Sequence, residues 1–130
     1  MNNITIRNIP RGSGKTSIIK TILLENAIRG NNVLCIPAFK FSRDMYLELS
    51  RNFNMTKNIE VLLPTSVLKL SANNLKEFTI ILIDDVFDIN TEVQIELLKL
   101  LKESGVRTEG VGTLLEPNAR CELFEDYVIC

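Results

Sequence analysis

The hexapeptide Arg11-Gly12-Ser13-Gly14-Lys15-Thr16 stands between a stretch typical of a strand and a stretch typical of a helix. Residues 3–9 are rich in Ile and Thr and end at Pro10, which predicts a strand. Residues 15–29 carry apolar side chains at the spacing of one helix face, and Gly30 ends that pattern. The glycines let several backbone N–H groups turn toward one point, where the start of the helix adds partial positive charge. This stretch therefore predicts a phosphate-binding loop.

Each residue type in the loop suits that chemistry. Lys15 can reach the β- and γ-phosphates as a point charge, which makes it a candidate catalytic residue, and Thr16 can offer a hydroxyl to Mg²⁺. Arg11 could contact the γ-phosphate or form a local salt bridge. The residues predicted to bind the phosphates are Arg11, Gly12, Ser13, Gly14, Lys15, Thr16 and Ser17.

The loop departs from the full Walker A pattern, G-x-x-x-x-G-K-[ST], at its first glycine. That glycine would fall at position 9, where this chain has Ile9 followed by Pro10. We expect Pro10 and Gly12 to shape the exit from the strand instead. The departure bears on affinity and turnover more than on the identity of the motif.

A second motif ends the most apolar stretch of the chain. Residues 80–85 read Ile-Ile-Leu-Ile-Asp-Asp, as in a Walker B strand. Asp84 is predicted to hold Mg²⁺ together with Thr16, either directly or through a water molecule. Asp85 takes the place where many ATPases carry a glutamate that polarises the attacking water, although aspartate is one methylene shorter. An acidic pair that ends a strand is common, but both motifs fall at the carboxyl edge of one predicted sheet, where one Mg-nucleotide could meet them.

The order of elements predicts an α/β, three-layer sandwich with a mainly parallel sheet, of the P-loop NTPase type, as a single domain over residues 1–130. Two predicted strands separate the two motifs along the chain. Ser42 is the expected N-cap of the second long helix, and Gly105 the expected stop of the last. The remaining predicted strands are 33–36, 59–63, 78–83, 111–115 and 127–129, the helices are 42–53, 65–70 and 91–103, and 71–77 is a polar loop.

Composition excludes several kinds of chemistry. The chain has no histidine, which removes Ser-His-Asp and Cys-His catalysis and imidazole metal sites. Three cysteines (Cys35, Cys121 and Cys130) without a C-x-x-C pair indicate neither a disulfide framework nor a zinc site.

No apolar run approaches the roughly 20 residues of a membrane span, and no secretory signal opens the sequence. We expect no membrane association and a cytoplasmic location, the host cytoplasm if the protein is viral.

The motifs resemble those of the helicase and RecA-like branch of P-loop NTPases. Residues 11–16 are similar to the R-G-x-G-K-[ST] loop of phage terminase large subunits. Residues 33–38 and 41–44 resemble the second strand and following helix of terminases and superfamily 2 helicases, and residues 111–113 their coupling motif. The resemblance implies ATP and Mg²⁺ as ligands, ATPase activity, and DNA or RNA as a partner. AAA+ initiators and helicase loaders, whose acidic motif often reads I-D-D, are the rival resemblance.

Other readings stay open at this stage. A regulatory or adaptor module that binds nucleotide with little turnover would tolerate Ile9 and Asp85, and a small phosphotransferase is a third class. The net charge is −1, so any nucleic-acid contact must come from a local patch. Such a patch could be a basic strip of Lys40, Arg43, Arg51 and Lys57, or these could be ordinary surface residues. One sheet uses nearly all 130 residues, so a homo-oligomer or partner protein is expected to supply a lid or an arginine finger. Arg107 could be such a finger toward a neighbouring subunit, but an ordinary surface arginine is the favoured interpretation.

Overall fold

The computed structural model describes residues 2–10, 12–54, 57–114 and 128–129, the last two by their backbone only. Every pairing between the described strands is parallel, which confirms the predicted α/β fold. The strands are β1 Ile4–Asn8, β2 Val33–Pro37, β3 Ile59–Val61, β4 Ile80–Asp84, β5 Arg107–Gly112 and β6 Val128–Ile129. The helices are α1 Lys15–Ile28, α2 Lys40–Asn52, α3 Pro64–Val67, α4 Ala72–Leu75 and α5 Thr91–Ser104, with a 3-10 turn at Val86–Asp88.

The strand order β3-β2-β4-β5-β1-β6 brings the two motifs to one edge of the sheet. β1 leads into the glycine loop and β4 ends at Asp84, and in a parallel sheet these carboxyl ends lie on the same side. β2 and β3 lie between them in sequence, as predicted, while β5 lies between β1 and β4 in space.

Helices cover both faces of the sheet because the central strands are apolar on both faces. In β4, Ile80 and Leu82 join one buried cluster with α1 and α2, while Ile81 and Ile83 join another with α3, α4 and α5. β2 alternates in the same way. This is the pattern of a strand covered on both sides, and it produces three layers.

The helix that follows β2 starts earlier than the sequence predicted and buries a different face. Its N-cap is Phe39, so the prediction of Ser42 as the cap is wrong. Ser42, Tyr46 and Ser50 form the buried face, four residues apart, while Phe53 is 53% exposed. The apolar residues of this helix are therefore a poor guide to its packing.

Several further elements differ from their predicted bounds, among them β3, which ends at Val61 instead of 63, and α3, which spans Pro64–Val67 instead of 65–70. Residues 71–77, predicted as a loop, contain α4, whose start is held by a reciprocal capping box between Ser71 and Asn74. β5 begins at Arg107 and not at 111. The sequence pattern misses this start because the buried residues Thr108 and Gly110 are not strongly apolar. The predicted residues Leu115 and Tyr127, with Cys121 and Cys130, lie outside the described residues.

Across the described part of the chain, no helix is both long enough and apolar enough to cross a bilayer.

Gly112 provides a test of the packing between β5 and the acidic turn. A Cβ at Gly112 would collide with the ring of the buried Phe87, whereas a Cβ at Gly110 would make ordinary contacts with Ile6 and Ile83 at 3.5 Å. We expect Gly112→Ala to lower the free energy of unfolding by about 1–3 kcal/mol, as overpacking does. The matched variant Gly110→Ala should change it far less. Urea denaturation of both variants measures the difference, and equal effects would contradict this packing.

Candidate functional site

The glycine loop is shaped by two left-handed residues. Gly12 has φ +80° and Gly14 has φ +83°, values that residues with a Cβ adopt at a cost. Between them, the Ser13 N–H donates to the carbonyl of Pro10 at 3.1 Å. Gly14 is also the N-cap of α1. The two glycines predicted for the loop are therefore required by its backbone.

The start of α1 is open to an anion. No side chain caps this end, and no acidic residue occupies its first turn. Gly12, Ser13 and Gly14 are exposed beside it, as is Ser17, while Thr16 is half-buried. Free N–H groups and the helix dipole make such an end favourable for phosphate. Arg11, also predicted here, lies outside the described residues.

Ile9 explains how the loop forms without its first glycine. Among the described non-glycine residues, only Asn54 and Asp85 have positive φ, so the backbone at Ile9 is one that any residue adopts. Its side chain packs against the cluster under α1, and its N–H donates to the carbonyl of Gly112 at 2.8 Å. Its carbonyl accepts from the Thr113 hydroxyl at 2.6 Å. Position 9 thus extends the sheet, and the turn begins after it.

Lys15 and Asp85, both predicted site residues, form an ion pair. Nζ of Lys15 lies 3.1 Å from Oδ1 of Asp85, and the side chains are 19% and 17% exposed. Asp85 has φ +56° and ψ +47°, a left-handed conformation that aspartate tolerates better than most residues. The turn that follows is held by Gln94, whose side-chain amide donates to the carbonyl of Val86. The structure therefore joins the glycine loop to the acidic motif directly.

Asp84 is buried at the carboxyl end of β4, with 1% exposure. Its Oδ2 accepts a hydrogen bond of 2.5 Å from the Tyr46 hydroxyl. Its Oδ1 is buried and has no hydrogen-bond partner within the part of the chain that the structure describes. Burial raises the pKa of Asp84 most, and the Asp85 charge raises it further, while the Tyr46 hydroxyl, the Lys15 charge and the backbone N–H of Asp85 lower it.

The unpartnered oxygen of Asp84 fits a divalent cation. A buried carboxylate oxygen without a donor is costly, and Mg²⁺ prefers carboxylate and hydroxyl oxygens. Thr16, in the first turn of α1, and Asp84 are the residues that would hold the ion. The donor set is thus compatible with the prediction from the sequence.

Tyr46 is the site residue that sequence analysis missed. The apolar pattern of α2 indicates the residues beside Tyr46 as its buried face, whereas the structure buries Tyr46 itself, between two serines. A tyrosine flanked at four-residue spacing by small polar residues could have indicated a helix lying close to the sheet. Its partner, however, is Asp84, 38 residues away in sequence, which no local pattern indicates.

The basic residues singled out in the sequence do not form one strip. Lys40 and Arg43 lie in the first turn of α2, near the carboxyl edge of β2, and Arg43 pairs with Asp44 at 3.2 Å. Lys57 lies beside Asn32 and Phe78 at the opposite edge of the sheet. Arg107, the first residue of β5, is also at that opposite edge, where it pairs with Glu109 at 2.9 Å.

Comparison with solved structures shows the fold. The UvsW helicase from bacteriophage T4 matches with a TM-score of 0.64 and 14% identity, over 97% of this chain and 53% of that one. A DNA replication initiation factor matches with a TM-score of 0.56 and 18% identity, over 100% of this chain and 40% of that one. This chain therefore spans about half or less of each protein. No family model and no curated protein matches it.

The likeness places this fold in a known class. The chain has an α/β fold of the P-loop NTPase type that it shares with these two structures, which agrees with the strand order and with the glycine loop at the start of α1. At 14% and 18% identity the comparisons establish the fold alone.

The burial of Asp84 predicts a stability difference that depends on pH. Because the folded-state pKa is raised above the ordinary 3.8, ionisation of Asp84 favours the unfolded chain as pH rises above that value. Asp84→Asn keeps an acceptor for Tyr46 and removes the charge. We expect it to unfold at a higher temperature than the native protein at pH 7, with a gap that shrinks toward pH 4.

Calorimetry from pH 4 to 8 checks this expectation, and Asp88→Asn, at an exposed position of the same turn, is the control. A stability of Asp84→Asn that falls below the native value at pH 7 would contradict it.

Proposed function

We propose that this chain is a P-loop NTPase domain that binds Mg-ATP, hydrolyses it, and serves nucleic-acid handling. The observation that carries the proposal is the convergence of an uncapped α1, Lys15 and the acidic pair at one edge of the sheet. The helicase and the replication initiation factor with the same fold support the nucleic-acid part. The terminase-like loop at residues 11–16 supports a phage-type, cytoplasmic setting.

The ion pair suggests how the residues act when nucleotide binds. The loop N–H groups and the start of α1 would receive the phosphates, and Lys15 would exchange Asp85 for phosphate oxygens. Asp85 would then have a free carboxylate with which to orient water. Mg²⁺, held by Thr16 and Asp84, would neutralise phosphate charge.

An exposed aromatic pair supports a nucleic-acid contact. The rings of Phe39 and Phe41 stack with centroids 5.4 Å apart and planes 9° apart, and Phe41 is 73% exposed. Lys40 lies between them in sequence, and all three follow β2 at the edge that carries the nucleotide motifs. Aromatic faces next to cations bind the bases and phosphates of single strands. The net charge of −1 does not favour nucleic-acid binding by the surface as a whole, so a local surface of this kind is needed for such a contact.

One observation favours a second candidate, a nucleotide-binding module with little turnover. Asp85 is shorter than the usual glutamate and is already engaged by Lys15, so its reach toward a water is reduced. An AAA+ helicase loader would be a protein of this kind, as the likeness to a replication initiation factor suggests. In either case we propose that a homo-oligomer or a partner protein completes the site. Binding without turnover, with or without DNA, distinguishes this candidate from the first.

Nucleotide binding is tested by Lys15→Ala. Loss of a charged hydrogen-bond donor is worth about 1.5–3 kcal/mol, so we expect Mg-ATP affinity to fall at least about tenfold. Lys20→Ala, in the same helix, is the matched control and should bind as the native chain does. Calorimetric titration of Mg-ATP measures all three proteins. If none binds, or if Lys15→Ala binds as well as the native chain, the proposal fails.

The nucleic-acid surface is tested by Phe41→Ala. Stacking of one base contributes about 1–3 kcal/mol, so affinity for a single-stranded oligonucleotide should fall about fivefold or more. Phe53→Ala removes an exposed ring at the far end of the same helix and should leave the affinity unchanged. Fluorescence anisotropy measures both variants. Equal affinities of Phe41→Ala and the native chain would remove this surface from the proposal.

A further inference from the structure

Tyr46 is fully buried, and it is among the largest side chains in the protein interior. It packs in the cluster that α1 and α2 form on the sheet, with Cys35 and Leu82 among its members. A phenol hydroxyl in such surroundings must find a partner, because an unpaired one is costly to bury. Its partner is Oδ2 of Asp84, at 2.5 Å.

This hydrogen bond makes the two oxygens of Asp84 unequal. Oδ2 is held by Tyr46, whereas Oδ1 is buried and receives no hydrogen bond from the described residues. The terminal torsion of an aspartate is broad, so the Tyr46 hydrogen bond, besides the Lys15 charge and the Asp85 backbone N–H, limits the orientation of this carboxylate. The Tyr46 hydroxyl therefore selects which oxygen is left for another ligand.

We propose that Tyr46 is a positioning residue for the divalent cation of the nucleotide site, holding Oδ2 of Asp84 so that Oδ1 serves as the coordinating atom. The inference rests on the proposed function, since the cation is the one that accompanies the nucleotide. Residues that orient the ligands of a metal commonly change metal affinity about 10- to 100-fold when they are replaced. Tyr46 does so from α2, an element that contributes nothing to either nucleotide motif.

A purely structural role for Tyr46 makes a different prediction. If the ring only fills the core, phenylalanine would fill the same space, and cation affinity would not depend on the hydroxyl. Under the present inference, Tyr46→Phe keeps the ring and frees the carboxylate. Its effect should then appear in cation binding and not in the binding of nucleotide alone.

The experiment titrates Mn²⁺, observed by its electron paramagnetic resonance signal, into the full chain saturated with a non-hydrolysable ATP analogue. We expect Tyr46→Phe to weaken Mn²⁺ binding by roughly 10-fold or more, with analogue affinity in EDTA unchanged. Ile80→Val is the matched control: it removes a methylene from β4 in the same buried cluster and should keep native Mn²⁺ affinity. In the Asp84→Asn background, Tyr46→Phe should have no further effect on it.

A second measurement needs no change at Tyr46. The chain has two tyrosines, Tyr46 and Tyr127, so Tyr127→Phe leaves a single signal in protein labelled with ¹³C at the tyrosine Cζ. A cation on Asp84 draws charge from the carboxylate and weakens it as an acceptor. The Tyr46 Cζ resonance should therefore shift when Mg²⁺ is added to the analogue-loaded protein.

The outcomes separate the two proposals. Native Mn²⁺ affinity in Tyr46→Phe, or a Tyr46 resonance that does not move at saturating Mg²⁺, overturns the role of Tyr46 while Lys15-dependent nucleotide binding still stands. If the native chain binds no analogue, the proposed function fails and the present inference fails with it.

Discussion

The strand β4 constrains the rest of the structure because it is apolar on both faces and ends in a buried carboxylate. Its side chains require helices above and below the sheet, and they fix the three layers. Its last residue, Asp84, places a carboxyl group in the protein interior, where burial raises its pKa. A carboxylate in such a place needs partners, and α2 supplies one, while the other oxygen has no partner among the described residues. An unpartnered buried acceptor costs stability, and the proposed cation would satisfy it.

The glycine loop depends on the same edge of the sheet. Its two positive-φ glycines leave the start of α1 uncapped, and the Lys15–Asp85 ion pair joins that helix to the turn after β4. The strand that separates β1 from β4 contributes as well, since Gly112 and Thr113 bond to the backbone of Ile9. The loop is thereby anchored through hydrogen bonds that do not require the missing first glycine. At position 9 the chain continues the sheet, and the turn begins after Ile9.

Local sequence patterns predicted the fold well in segments where the spacing of apolar residues or a terminal glycine was clear. The alternation of apolar strands with periodic helices indicated a parallel three-layer sheet, and the stops at Gly30 and Gly105 matched the observed helix ends. Predictions failed where burial came from close packing instead of hydrophobicity. α2 buries Ser42, Tyr46 and Ser50, and β5 includes Thr108 and Gly110, none of which makes an apolar pattern. A capping box, which depends on two side chains satisfying each other, produced α4 within a stretch that reads as a polar loop.

The sequence by itself determined the kind of site. The roles predicted for the glycines at 12 and 14, the lysine at 15 and the acidic pair at 84 and 85 follow from their chemistry and from the strands and helices beside them. Only the tertiary structure decided how these groups meet. It paired Lys15 with Asp85, buried Asp84, and brought Tyr46 to it across 38 residues of sequence. The physical reason is that backbone conformation and periodicity are local properties, whereas the burial of a charge and the choice of its hydrogen-bond donor depend on which elements the sheet brings together.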